Sequence, residues 1–365
     1  MSSLVGGIGI IGQDMVCGFG NGKYKTFEGT EIAAENCVKA KVKDLRVEGK
    51  TYQNLVSNLD ELVGNIYTKK NEAKVVSNLL KVSTTYTFII NISEANYSDT
   101  NFGAIMIINY PTLSTSYVNI SKKNGIFKVR YTIKEEIPKN ILISPHANND
   151  TSSSFKLENL IILEGDYTNI DLPNNINGIE SVSERENNVL SVKINDNTTT
   201  LNLPIPLRSL PNGTCNTIEG NKLAQRVGAV LLNGTQDMTL ANVNQTLTTR
   251  VRIRMDNAKV SKNNLICNWF IRTEAHGDYE YIIIQDSSAG ICLFISVLNT
   301  KLDTVDLNGI EKYFKENPLI VYYELATPII HDLEIPSIST TKGTNVITTS
   351  NNIKPKLKLK VKVKK

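Results

Sequence analysis

The sequence predicts an all-β fold, and three observations carry that prediction. Its apolar runs are short and rich in β-branched and aromatic residues, the side chains that suit a pleated, half-buried surface. Between them lie Asn-rich turns with six Asn-Gly dipeptides, at Asn21, Asn124, Asn177, Asn212, Asn233 and Asn308. Each dipeptide favours the left-handed backbone of a type I′ hairpin. Helical periodicity is confined to one convincing stretch. At 365 residues the chain exceeds a single core, since cores stop growing near ~250–300 residues, so two or three domains are expected.

In chain order, residues 1–50 are Gly-rich and then charged, and are expected to form an attachment region in which small residues let a neighbouring backbone approach closely. Residues 51–184 hold a first strand series: TYTFIINIS (Thr85–Ser93), FGAIMIINY (Phe102–Tyr110), IFKVRYTIK (Ile126–Lys134), ILIS (Ile141–Ser144) and FKLENLIILEGDY (Phe155–Tyr167). Residues 185–365 hold a second: RVRIRMDN, LICNWFIRT, YEYIIIQD, GICLFISV and PLIVYYELATP. The one helix is expected over Leu307–Glu316, where Ile310, Tyr313 and Phe314 fall at i, i+3 and i+4, and Pro318 forbids its continuation. From Lys356 to Lys364 lysine alternates strictly with Leu or Val, which places every charge on one face of a strand. That terminus has three readings: a nucleic-acid binder, a disordered tail, or a final strand with one apolar face buried. Strict alternation and the lack of interleaved aromatics favour the last, with the lysines also blocking unwanted edge pairing.

Composition narrows the function. The net charge is +4, but seven lysines and no acid fall in residues 354–365, so the other 353 residues carry a net charge of −3. Basicity is local, which argues against general nucleic-acid binding. Cys17, Cys37, Cys215, Cys267 and Cys292 are scattered without CxxC spacing, as reduced thiols rather than a zinc site or disulfide framework. No basic region precedes the first apolar residues, and no window approaches ~18 uninterrupted apolar residues, so neither a secretory signal nor membrane insertion is expected. Richness in Asn, Ile, Lys and Thr points to AT-rich codons.

Catalytic constellations are weak. Gly7-Ile-Gly-Ile-Ile-Gly12 matches G-x-G-x-x-G, yet only six residues precede it and Gly18, Gly20 and Gly22 break any helix after it. Among His146, His276 and His331 none has metal-helix spacing, and His276, with Glu274 and Asp278, suits a solvated turn. No GxSxG elbow nominates a nucleophilic serine. Glu135 and Glu136 are adjacent and point to opposite faces of a strand. Glu164 and Asp166 share a face two residues apart, as a ligand-binding pair, a glycosidase pair or a calcium site would. Trp269, the single Trp, alternates in phase with Cys267 and Ile271 and is expected to pack in a core. Tyr110 and Tyr117 flank the turn-forming Pro111 and are the surface aromatics expected at a binding rim.

Several segments carry a resemblance. FKENPLIVYYELATP (Phe314–Pro328) and the Thr-rich stretch after it resemble the closing segment of tail-fibre and receptor-binding proteins of clostridial-type phages and phage-tail-like bacteriocins. LENLIILEGDYTNIDLPNNINGIESVSE resembles the last strand and exit of jelly-roll modules in that family. LRSLPNGTCNTIEGNKLAQRVGAVLLNGTQ resembles the turn before its second sandwich, and TEIAAENCVKAKVKDLRVEGKTYQNL the module before its first. Cys215–Thr217 departs from the pattern, since an acidic pair is expected there. The resemblance implies two jelly-roll-like sandwiches and a non-enzymatic particle protein: a tail fibre or baseplate receptor-binding component in a virion or tail-like particle, without a cofactor or metal. Its implied partners are other tail or baseplate proteins and a host cell-surface protein or glycan. A homotrimer is expected separately, from the Gly-rich arm and a terminal strand with one apolar face, both of which can dock onto a neighbouring copy. The alternatives are a purely structural tail, neck or capsid accessory protein and a glycan-degrading tail enzyme.

Overall fold

The computed structural model describes residues 48–334 with their side chains, apart from 69, 77–79, 97–103, 108–114, 121–123, 134–139, 146–152, 170–171, 173–175, 177, 182, 184–187, 190–199, 242–245, 262–263 and 270–278. Beyond these it describes backbone strands only. The fold is all-β, in antiparallel sheets.

The first sandwich contains eight strands: β1 (Ile66–Thr68), β2 (Ala73–Val75), β3 (Thr84–Asn96), β4 (Phe102–Tyr110), β5 (Thr115–Ile120), β6 (Gly125–Ile133), β7 (Ile137–His146) and β8 (Ser154–Glu164). They form two sheets, in the orders β6-β3-β8-β1 and β5-β4-β7-β2. The strands β3 and β8 are buried on both faces. Phe88, Ile90, Leu160 and Ile162 point into the main core, while Ile89, Ile161 and Leu163 meet Leu172 and Ile176 on the far side. That two-sided burial is why their sequences run as continuous apolar stretches rather than alternating with polar residues.

The second sandwich contains β9 (Thr217–Glu219), β10 (Lys222–Leu232), β11 (Thr239–Leu240), β12 (Thr248–Arg254), β13 (Ile266–Cys267), β14 (Tyr281–Ser287), β15 (Gly290–Leu298) and β16 (Leu319–Asp332). One sheet runs β13-β16-β10-β9 and continues into Arg46–Glu48; the other runs β11-β12-β15-β14. The expected helix is present over Leu307–Glu316. Asp306 caps it by accepting from the Gly309 amide at 2.8 Å, and Ile310 and Phe314 are fully buried in the core. Trp269 stacks on Phe314 with ring centroids 5.4 Å apart, and meets Tyr313 edge-on. It therefore packs against this core beside the buried Cys267, while Ile271 lies outside the described residues.

Two expectations are corrected. The left-handed backbone falls on the glycine of the Asn-Gly pairs, with φ 114° at Gly125, 88° at Gly213 and 80° at Gly234, and not on Asn124, Asn212 or Asn233. These turns are therefore not type I′, which needs both residues left-handed. The pair at Asn308 instead lies in the first turn of the helix. Ile8–Ile11, inside the Gly-rich motif, is a strand paired with Ser3–Leu4 and Asp14–Cys17. Lys358–Lys362 is a strand, but it pairs on both flanks, with Asp14–Cys17 and Val38–Val42, so it does not guard an edge. Alternation specifies the faces of a strand and is silent on its place in the sheet order. The burial of its two faces lies outside the described residues.

Candidate functional site

The two sandwiches are laced together by the segment that enters the first and the segment that enters the second. Thr51 and Ser209 bond reciprocally: the Thr51 amide donates to Ser209 Oγ at 2.9 Å, and the Ser209 amide to Thr51 Oγ1 at 2.8 Å. The Gly49 amide donates to Asn216 O at 2.8 Å. A Cβ on Gly49 would lie 2.6 Å from the backbone of Leu207 and Arg208, so only glycine fits this crossing.

Two buried asparagines fix the lacing. Asn54 Nδ2 donates to Leu160 O at 3.1 Å and Ile176 O at 3.0 Å, while its Oδ1 accepts from the Val56 and Ile162 amides. Asn216 repeats the device, donating to Pro206 O and accepting from the Arg226 and Val227 amides. Backbone groups that secondary structure leaves unpaired are satisfied in this way.

Against this lacing opens a cavity of about 350 Å³. Its floor is apolar: Leu55, Leu163, Leu210 and Ile266 are all buried. One wall is an aromatic pair, Tyr52 and Tyr167, with centroids 5.5 Å apart and rings at 82°. Gly165 makes that pair possible. Its φ of 116° ends β8, and a Cβ there would lie 2.9 Å from the Tyr167 ring. The Tyr167 amide then donates to Thr87 Oγ1 at 2.8 Å, which aims the ring back toward Tyr52. Burial, with the neighbouring Tyr167 second, pushes the Tyr52 hydroxyl up to about 12, so it stays protonated at neutral pH.

The rim is polar and of mixed charge. Lys50 places its ammonium 5.7 Å and 5.6 Å from the Tyr52 and Tyr167 centroids. Glu48 and Glu164 are exposed at the edge, and Gln53, Ser209 and Cys215 line the sides. Next to it the turn at Asn212 meets Glu324. Burial alone would raise that carboxyl, but bonds from Lys259 at 2.6 Å, Asn212 and Asn264 outweigh it and hold the group below its usual range.

Of the residues singled out from sequence, Glu164 reaches this cavity and Asp166 does not line it. Each carboxylate meets a different cation. Glu164 ends β8 and meets Lys81 at 3.3 Å, whereas Asp166 lies beyond the Gly165 turn and meets Arg130 at 3.3 Å. Bonds from the Thr168 hydroxyl and amide hold the Asp166 carboxyl below its usual range. Tyr117 is half-buried on β5, in the other sheet, and the Tyr110 side chain lies outside the described residues, as do Glu274, His276 and Asp278. Tyr52 and Tyr167 were not singled out, and Tyr167 appeared only as the last residue of a strand run. Among the described residues no three His, Cys, Asp or Glu side chains gather as a metal site. The arrangement suits binding: an apolar floor, an aromatic wall and a rim of donors and acceptors.

No family model matches the chain, and no curated protein does. Among solved structures it is similar to one titled as tripeptidyl peptidase 2, with a TM-score of 0.20 and 8% identity, over 78% of this chain and 25% of that one. The chain thus spans about a quarter of that protein's length. A likeness of this size carries neither a fold nor an activity across.

Proposed function

We propose that the chain is a structural and adhesive component of a phage or phage-tail-like particle, a tail fibre or baseplate receptor-binding protein that presents β-sandwiches to the host envelope. The observation that carries the reading is the segment Phe314–Pro328, whose residues resemble the closing segment of such proteins. Here the segment spends its residues on architecture: a helix end, the stop at Pro318, and the start of the 14-residue strand β16, which lies between β13 and β10 in its sheet.

Strand order supports the same reading. In the first sandwich β1-β8-β3-β6 faces β2-β7-β4-β5, the interleaving that results when an antiparallel ribbon is rolled into a jelly roll, an architecture of capsid and lectin domains. The second sandwich repeats most of it, with β10-β16-β13 facing β12-β15-β14. Among the described residues it has no counterpart of the β5–β6 hairpin. Weak contacts by each sandwich, multiplied over subunit copies in a particle, give avidity without a deep site.

Particles released from the producing culture and purified on a density gradient test this. The chain should co-purify with them in fixed ratio to other tail proteins. Its recovery only from the soluble fraction would contradict the proposal.

A further inference from the structure

We propose that the cavity between the sandwiches is a saccharide site that takes one pyranose ring, its C–H face against Tyr167, with Tyr52 edge-on to that ring beside it, and its hydroxyls at the rim; this rests on the adhesive reading above. Four features of the cavity converge on that ligand class. Its volume, about 350 Å³, lies at the small end of the ~300–1,000 Å³ typical of small-molecule sites. The floor of Leu55, Leu163, Leu210 and Ile266 and the aromatic wall offer a dry surface to a ring that is apolar on one face. Thr51 and Ser209 already accept backbone amides through their oxygens, so their O–H groups point elsewhere as donors. The Tyr52 hydroxyl is a further protonated donor.

Charge decides between ligand classes. The rim holds Glu48 and Glu164 beside Lys50, with Lys81 paired to Glu164, so its charges cancel. A phosphate would meet two carboxylates, and a quaternary ammonium would meet the Lys50 ammonium already seated over both rings. A neutral polyol meets neither penalty, and carboxylates accept pairs of hydroxyls well. Lys50 need not block entry. Its ammonium sits near the ~6 Å limit of cation–π attraction on an exposed side chain, so it swings aside at little cost and can donate to a ring or hydroxyl oxygen.

The test is NMR titration of the full chain, with ring-labelled tyrosine, by glucose, galactose and N-acetylglucosamine in turn, then by inorganic phosphate and tetramethylammonium. At least one sugar should shift the Tyr52 and Tyr167 ring signals, saturably, while phosphate and tetramethylammonium leave them in place. Tyr167→Ala should weaken that sugar by roughly tenfold, the loss of one aromatic stacking contact. Should Tyr167→Ala fail to fold, Lys50→Ala serves, with weaker sugar binding at unchanged melting temperature. Sugars that leave both rings unmoved overturn the site, as does phosphate or tetramethylammonium shifting them instead. A chain that adheres to host envelopes with unmoved rings removes the site and spares the adhesive reading. A chain that binds sugar here yet never co-purifies with particles does the reverse.

Discussion

At the scale of single residues, buried amides and aromatic rings do more here than charge. Asn54 is fully buried and serves four backbone groups. Asn54→Ala would strand them at ~1–3 kcal/mol per unsatisfied group, so urea unfolding should register a loss of about 3 kcal/mol or more. Neither Asn54 nor Asn216 was legible in the sequence, because in an Asn-rich chain each looks like another turn residue. Trp269 was legible, since its alternation with Cys267 placed it on a core face, and it stacks on Phe314. Trp269→Ala should cost about 3 kcal/mol, the low end for Trp→Ala because the ring is only half-buried. Tyr52 sets a pH dependence. Its hydroxyl titrates near 10.0 when unfolded and at about 12 when folded, so the fold favours the protonated form. That contribution is whole below pH 10 and is lost as pH rises toward 12. Tyr52→Phe should therefore flatten the fall in melting temperature over that alkaline window.

At the scale of elements, the strands and the helix were legible because their signals are local. Ile310 and Phe314 bury as their spacing requires, and Pro318 ends the helix region before β16 begins. The Asp306 carboxyl is held below its usual range chiefly by the Gly309 amide, then by Thr304. Its cap therefore acts above the unfolded carboxylate pKa and is lost as pH falls through the lowered folded value. Asp306→Ala should lower the melting temperature at neutral pH and have less effect in acid. What the sequence hid was long-range pairing. Alternation along Lys356–Lys364 revealed a strand but not its neighbours, which lie at the other end of the chain. Deleting residues 354–365 would leave Asp14–Cys17 and Val38–Val42 without that shared neighbour. The deletion should speed amide exchange in both, whereas unchanged exchange there would contradict the pairing.

At the scale of the whole molecule, two sandwiches with related strand orders are joined by Gly49–Asn54 and Arg208–Asn216, and the aromatic cavity opens on that joint. The sequence signalled both strand series but not the joint, because Tyr52 and Tyr167 meet only after β8 closes the first sandwich. Gly49→Ala should loosen it, since a Cβ there collides with backbone that cannot shift. The expected readout is a split or lowered thermal transition by calorimetry. The proposed homotrimer is to be sought by sedimentation of the assembled particle component. The central claim, that the chain is an adhesive part of a tail, is met most directly by electron microscopy of purified particles labelled with gold-conjugated antibody to residues 48–334. Label clustered at the distal tail, in a fixed copy number per particle, is the predicted result. Unlabelled particles, or label confined to the head or to free protein, would contradict it.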